Sequence, residues 1–193
     1  IAVRSEPTQA QRGAEGVVDR SVAMMVQTMS DVIATEKAQA ADFLGACVGA
    51  PGPLDREHGI VVSAPNLGWR DFPLRDAISA RIRLPVTLDN DANCATVGEW
   101  WRGAARGARN VVGLTIGTGI GGGVILDGKL YHGSSDVAGE IGHTTIDSTG
   151  RYCRCGNAPS EIGKIEGSRH YQCSAICVGS RLAYRRRLWP TRL

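Results

Sequence analysis

The sequence predicts an α/β fold, and three observations predict it. Apolar side chains recur at helical spacing from Ala14 to about Ala34. Short apolar runs, among them Phe43 to Val48, Leu84 to Leu88 and Val111 to Ile116, are bounded by glycine or proline and suit buried strands. One of these runs leads into Leu88-Asp89-Asn90-Asp91-Ala92-Asn93, ahead of a stretch rich in helix formers. Polar side chains at the C-terminal end of such a strand stand where open α/β sheets place ligands. The same Asp and Asn residues also suit a helix cap, since their short side chains bond nearby amides.

Taken in order, Ile1 to Gly13 is polar and without period. Val18, Val22, Met25, Met29 and Val32 then form one apolar helical face, and the two methionines read as core. Phe43 to Val48 is a strand, ended by Gly49-Ala50-Pro51-Gly52-Pro53, which cannot continue a ladder. Ile60 to Val62 is a second short strand, and Pro65-Asn66-Leu67-Gly68-Trp69 a loop. Asp71 reads as the cap of a helix with Leu74, Ile78 and Ile82 on its buried stripe, limited by Pro85. Ala92 to Trp101 is helical. The basic, glycine-broken Arg102–Gly107 stretch then suggests a domain boundary near residues 103–109.

Composition narrows the function classes. At 193 residues the chain forms one large or two small domains. Residues 1–150 hold 13 Lys and Arg against 17 Asp and Glu, net −4, while residues 151–193 hold 9 against 2, net +7. The excess of positive charge belongs to the tail, which argues against nucleic-acid binding by the main body. No run is long and apolar enough to span a membrane and no signal peptide is visible, so a cytoplasmic location is expected. The chain opens on Ile1, which suggests a processed product or a fragment. The six cysteines do not read as a secreted disulfide framework; Cys47 and Cys94 read as small core residues.

Asn110 to Ile116 and Val124 to Leu126 flank Gly117-Thr118-Gly119-Ile120-Gly121-Gly122-Gly123, which makes an antiparallel hairpin. The glycines are therefore not a dinucleotide fingerprint, because that needs a helix next. Two readings stay open: bare amides converging on a phosphate, or a hairpin that tolerates positive φ. Further on, Gly139-Glu140-Ile141-Gly142-His143 sets a carboxylate three residues before an imidazole, with Cys153 and Cys155 beyond. His143, Cys153 and Cys155 give three zinc-type ligands where a closed structural site has four. The other reading is two reduced cysteines in a loop. Asp91 and Glu140 are candidates for the polar wall of a polyol site.

Residues 43–157 resemble the ROK family of bacterial sugar kinases and related repressors, nearest to its glucokinase branch. The resemblance rests on Val48-Gly49-Ala50-Pro51-Gly52-Pro53, Ala64-Pro65-Asn66-Leu67-Gly68-Trp69, Asp89-Asn90-Asp91-Ala92-Asn93, Gly98-Glu99-Trp100, Leu114 to Gly123, Gly139 to His143 and Cys153-Arg154-Cys155-Gly156-Asn157, in that order. It implies an actin-like ATPase (ribonuclease H-like) fold, incomplete here, with two α/β domains around a cleft. The implied activity is ATP- and Mg2+-dependent phosphorylation of the 6-hydroxyl of a hexose, glucose being the expected one. A sugar-responsive transcriptional repressor lacking its DNA-binding segment is the alternative.

By the same resemblance Asp91 is the catalytic base, and Asn90, Glu140 and His143 contact the sugar. Gly117, Thr118 and Gly119 form a phosphate-binding turn. His143, Cys153 and Cys155 ligate a structural Zn2+ in an incomplete site. The family implies a homo-oligomer and a small-molecule hexose partner, with no membrane and no nucleic acid.

The family's opening Asp-x-Gly-Gly-Thr turn has no counterpart in residues 1–42. Ser160 stands at the third zinc cysteine position and Ile162 at a sugar-binding glutamate position. The expectation is a chain truncated at its N-terminus and divergent or frame-shifted after residue 158, with little phosphorylating activity of its own. The expected domains are residues 1–105, a partial N-terminal α/β domain carrying Asp91; residues 106–158, the start of a second with the phosphate hairpin and zinc-type loop; and residues 159–193, a basic, poorly structured tail.

Overall fold

The computed structural model describes residues 2–36, 38–117, 119–144, 173–178 and 181–185. The chain divides into two compact units, Ile1–Asn90 and Asp91–Leu193. Among the described residues no helix is long and apolar enough to cross a membrane.

In the first unit, helix α1 (Gly13–Glu36) buries Val17 and Val18, with Ala14, Val22 and Met25 packed beside them. Val26 and Ile33, which stand beside the predicted apolar face, are exposed. Strand β1 (Ala46–Ala50) pairs in parallel with β5 (Val86–Asn90), so that Gly49 faces Asp89 and Ala50 faces Asn90. Between them run the antiparallel strands β2 (Leu54–Asp55), β3 (Ile60–Ala64) and β4 (Trp69–Phe72), then helix α2 (Leu74–Ile82). Val61 of β3, Ile78 of α2 and Val18 of α1 are the largest fully enclosed side chains of this core. Arg81 of α2 ties the two helices by ion pairs with Glu15 and, at 3.1 Å, Asp19 of α1.

Several sequence expectations change here. Asp71 is not a helix cap: it lies in β4 with φ 48°, and α2 begins after Pro73 without a side-chain cap. Pairing with β3 claimed this segment, because Trp69 and Phe72 pack ring to ring at 5.1 Å. Cys47 is exposed rather than core, since β1 alternates and its odd face is open.

The turn between β2 and β3 is fastened from two directions. The Asp55 carboxylate accepts the His58 backbone N–H at 2.9 Å and meets its ring Nδ1 at 2.8 Å. From α2, the Arg75 guanidinium donates to the carbonyls of Glu57 and His58 at 2.9 and 3.0 Å. The bond from the His58 backbone, then that from its side chain, holds the Asp55 carboxyl below its ordinary value of 3.8. A carboxyl depressed in the folded state contributes stability above the unfolded value and loses it as pH falls through the folded one. Amide exchange in residues 55–59 is therefore expected to quicken as pH drops below 3.8, relative to intrinsic rates. Asp55→Asn should remove that pH dependence, and a variant that keeps it would refute the assignment.

In the second unit, α3 (Asp91–Arg102) packs on the hairpin of β6 (Val111–Ile116) and β7 (Ile120–Leu126), and β8 (Lys129–Tyr131) adds to β7. Strands β9 (Cys173–Val178) and β10 (Arg181–Arg185) extend the sheet on the β6 side, in the order β10-β9-β6-β7-β8. Of the expected tail, residues 173–178 and 181–185 are strands, and the rest lies outside the described residues. The edge of β6 left by β7 is covered by Cys173–Cys177, from Val112 opposite Cys177 to Ile116 opposite Cys173.

The expected ribonuclease H-like arrangement is also corrected. The described strands divide into a parallel pair, an antiparallel three-stranded sheet and an antiparallel five-stranded sheet. The chain between β1 and β5 spends its strands on a local meander, which leaves only two parallel neighbours.

Candidate functional site

Strand β5 runs through Asn90 and α3 starts at Asp91, so the polar stretch is a strand end passing directly into a helix. Asp89 turns back on the chain: its Oδ1 accepts the Asn90 N–H at 2.8 Å, and its Oδ2 lies 3.5 Å from Arg56 Nε. Asn90 is half-buried and Asp91 exposed. Asp91 Oδ1 accepts the N–H of Ala92 at 2.9 Å in the first turn of α3, the adjacent amide and not the one two or three residues on that a helix cap bonds.

The glycines of the hairpin explain how α3 is seated. A Cβ at Gly113 would stand 2.3 Å from Thr96 Oγ1, and one at Gly123 2.5 Å from the same atom. One at Gly121 would meet Ala92 Cβ at 2.9 Å. Ala92, Asn93 and Thr96 are the buried residues of α3, and Thr96 Oγ1 closes on the Ala92 carbonyl at 2.9 Å. The first turn of the helix, which carries Asp91, therefore lies against a strand surface stripped of side chains. None of Gly117, Gly119 or Gly121–Gly123 has a left-handed φ. Positive φ is not what these glycines supply; Gly113, Gly121 and Gly123 supply close approach.

Because side chains alternate along a strand, Gly122 faces the other way. There the segment 139–143 packs: a Cβ at Gly122 would stand 2.4 Å from the Gly139 carbonyl oxygen, and one at Gly142 2.1 Å from that of Ile120. Gly139, at φ 92°, makes the bend into the short 3-10 turn Ile141–His143. Glu140 Oε2 and His143 Nε2 lie 3.6 Å apart. The 117–119 turn joins β6 to β7 at this same end, with Gly117 N–H bonded to the Gly119 carbonyl at 2.9 Å. Open space surrounds the position of a Cβ at Gly117 and at Gly119. Thr118 lies outside the described residues.

The helix start bearing Asp91 thus lies against one face of the β6–β7 hairpin and the turn bearing Glu140 and His143 against the other, with the open Gly117–Gly119 turn at the hairpin's tip. Cys153 and Cys155 lie outside the described residues, and among those described no three His, Cys, Asp or Glu gather as a metal site. His143 is the one expected zinc ligand in view, which does not make a fit for the ion, and no step below runs through zinc. Sequence reasoning missed Arg56, Asp89 and Thr96 as parts of the site's frame. Asp89 stands in the motif but drew no role of its own; Arg56 comes from 33 positions upstream, and nothing local signals it.

The ROK family model matches residues 8–159. The chain belongs to the ROK family. It is 48% identical over 116 residues to a glucokinase of Halalkalibacterium halodurans, covering 60% of this chain and 35% of the relative. It is 43% identical over 124 residues to a xylose repressor of Caldicellulosiruptor bescii, covering 64% of this chain and 30% of the relative. Among solved structures it is similar to a ROK hexokinase from Thermus thermophilus, with TM-score 0.64 and 32% identity, over 82% of this chain and 49% of that one. The chain spans about a third of the length of these curated relatives. The hexokinase match makes the fold the α/β, actin-like sugar-kinase fold of the family and overturns the ribonuclease H-like assignment.

Proposed function

We propose that this chain belongs to a phosphotransferase that moves the γ-phosphoryl of ATP to the 6-hydroxyl of a hexose, with glucose as the first substrate to test. The observation that supports the reading is the placement of the helix start bearing Asp91 and the Glu140–His143 turn on the two faces of one hairpin whose tip is the open Gly117–Gly119 turn. Asn90, Glu140 and His143 hold sugar hydroxyls in this reading, and Asp91 accepts the proton of the reacting one. Phosphoryl transfer passes through a loose transition state in which positioning and charge neutralisation matter most, so a carboxylate that takes the proton late is enough. The Gly117–Gly119 turn contacts phosphate through the Gly119 amide and Thr118 in this reading, while Gly117, whose N–H is bonded to the Gly119 carbonyl, holds the turn's shape. Mg2+ bound with ATP would neutralise charge developing on the phosphate oxygens. The similarity to glucokinases and to a hexokinase supports the assignment.

The test is phosphoryl transfer from radiolabelled ATP to glucose, mannose, N-acetylglucosamine or fructose, with the product's phosphate located on O6 by NMR. Polyphosphate replaces ATP in a parallel arm, and light scattering gives the oligomeric state. Transfer to a hexose at a rate above the no-protein control is the expected result. The 43% identity to a xylose repressor favours a second reading, sugar binding without transfer. Xylose bound, with no label moved to any hexose, would select it and reject the kinase.

A further inference from the structure

Among the described residues, Arg56 and Asp89 form a charged pair beside Asn90. Arg56 lies in the turn between β2 and β3, and its Nε is 3.5 Å from Asp89 Oδ2. The Asp89 side chain keeps only 16% of its exposure, and Arg56 32%. A carboxylate so withdrawn from water is costly unless a cation and hydrogen bonds compensate it. Asp89 has both: Arg56 on Oδ2 and the Asn90 N–H on Oδ1. The turn that presents Arg56 is itself secured. Asp55 holds it through His58, and Arg75 of α2 holds it through the carbonyls of Glu57 and His58. Arg75 N–H also donates to the Gly59 carbonyl at 3.1 Å. A rigid turn, a guanidinium, a carboxylate and a backbone amide thus run in series to Asn90.

We propose that Arg56 is a positioning residue: it fixes the Asp89 carboxylate and, through it, the backbone of Asn90 at the end of β5. Resting on the reading of Asn90 as a hexose contact, this makes Arg56 a determinant of hexose affinity although it touches no sugar itself. Loss of Arg56 removes a cation from the half-buried Asp89 carboxylate, which turns toward water and loosens its bond to the Asn90 N–H.

Two readouts on the whole chain test this separately. The first is hydrogen exchange at the Asn90 amide, in the parent, Arg56→Ala, and Arg56→Gln, which keeps much of the side chain's length without its charge. Exchange at Asn90 is expected to quicken roughly ten-fold in both variants, with α2 and β3 unchanged and melting temperature held. The second is glucose affinity, read by titration calorimetry. It should weaken by roughly ten-fold in Arg56→Ala, since small misplacements of a ligand group are costly. Arg56→Lys, which restores the charge, should recover part of the affinity. So should Asp89→Asn added to Arg56→Ala, because it removes the charge that Arg56 offsets.

Asn90 exchange unchanged in both Arg56→Ala and Arg56→Gln overturns the proposal whatever the sugar does. Equal acceleration across α2 and β3 also overturns it, since Arg56 is then an ordinary stabilising residue. Local acceleration at Asn90 in a chain that binds no hexose upholds the positioning and rejects the hexose reading, so the two failures are distinct.

Discussion

Asp91→Asn is expected to lower hexose phosphorylation by roughly 100- to 10,000-fold, the range over which a general base contributes. The substitution is close to isosteric, and its purpose is to separate two jobs that the structure gives one residue. Asp91 Oδ1 accepts the Ala92 N–H at the start of α3, and an amide oxygen accepts the same bond. Ala92, Asn93 and Thr96 still seat the helix on Gly113, Gly121 and Gly123. What is lost is the ability to take a proton, together with a negative charge at a helix N-terminus of about 0.3–1 kcal/mol. Glucose affinity should therefore stay within about threefold of the parent while transfer falls, a loss of about 3–5 kcal/mol of transition-state stabilisation. Labelled ATP reads even slow turnover, so a small residual rate in either protein is measurable. If Asp91→Asn retains more than about a tenth of the parental rate, Asp91 serves the helix start and is not the base.

The two roles of Asp91 show why the site was only partly legible in sequence. Asp and Asn before a helix are ordinary caps, and Asp91 bonds the adjacent Ala92 N–H in the first turn. The motif could be placed at a strand end because Val86, Thr87 and Leu88 are strand formers behind Pro85, and the structure puts them in β5. The hairpin was legible because two apolar runs flank a glycine cluster with no helical period after it. The purpose of those glycines was not. Positive φ and phosphate contact are local properties and come to mind from a local pattern. The close approach of Thr96 to Gly113 and Gly123 is tertiary, and no spacing encodes it.

The same limit explains the misread segment at Asp71. Its local chemistry suits a cap, but backbone pairing of β3 with β4 and the packing of Trp69 on Phe72 decide its conformation. Residues 8–42 belong to the family match, yet motifs were legible only from Val48 onward. Helix α1 carries a packing face of Val17, Val18, Val22 and Met25, which any core accepts; it bears no chemistry that spacing could disclose. Arg56 is the clearest case. Its partner Asp89 stands in the motif, but the contact exists because a meander folds the β2–β3 turn back to the end of β5.

Gly142→Ala should cost hexose affinity more than ten-fold while lowering stability by roughly 1–3 kcal/mol, the usual range for a single over-packed methyl. The new Cβ would stand 2.1 Å from the Ile120 carbonyl oxygen and 3.0 Å from its carbon. Both atoms are backbone, and Ile120 is paired with Ile116 in the β6–β7 ladder, so the strand has little freedom to yield. The segment that moves is the turn, which hangs on its own bonds from His143 N–H to the Glu140 carbonyl and from Thr144 N–H to that of Ile141. Glu140 and His143 ride on that turn, so both proposed sugar contacts leave the hairpin together.

Gly98→Ala is the matched control. Gly98 is exposed in α3, with open space where its Cβ would stand, and alanine there should stabilise the helix by about 0.5–1 kcal/mol. Thermal melting and glucose titration on both variants separate the cases: one methyl raises stability and leaves binding alone, the other removes binding for a modest loss of stability. Parental affinity in Gly142→Ala would mean that the turn can lift from β7 without consequence. The placement of Glu140 and His143 beside the hairpin would then carry no information about the ligand.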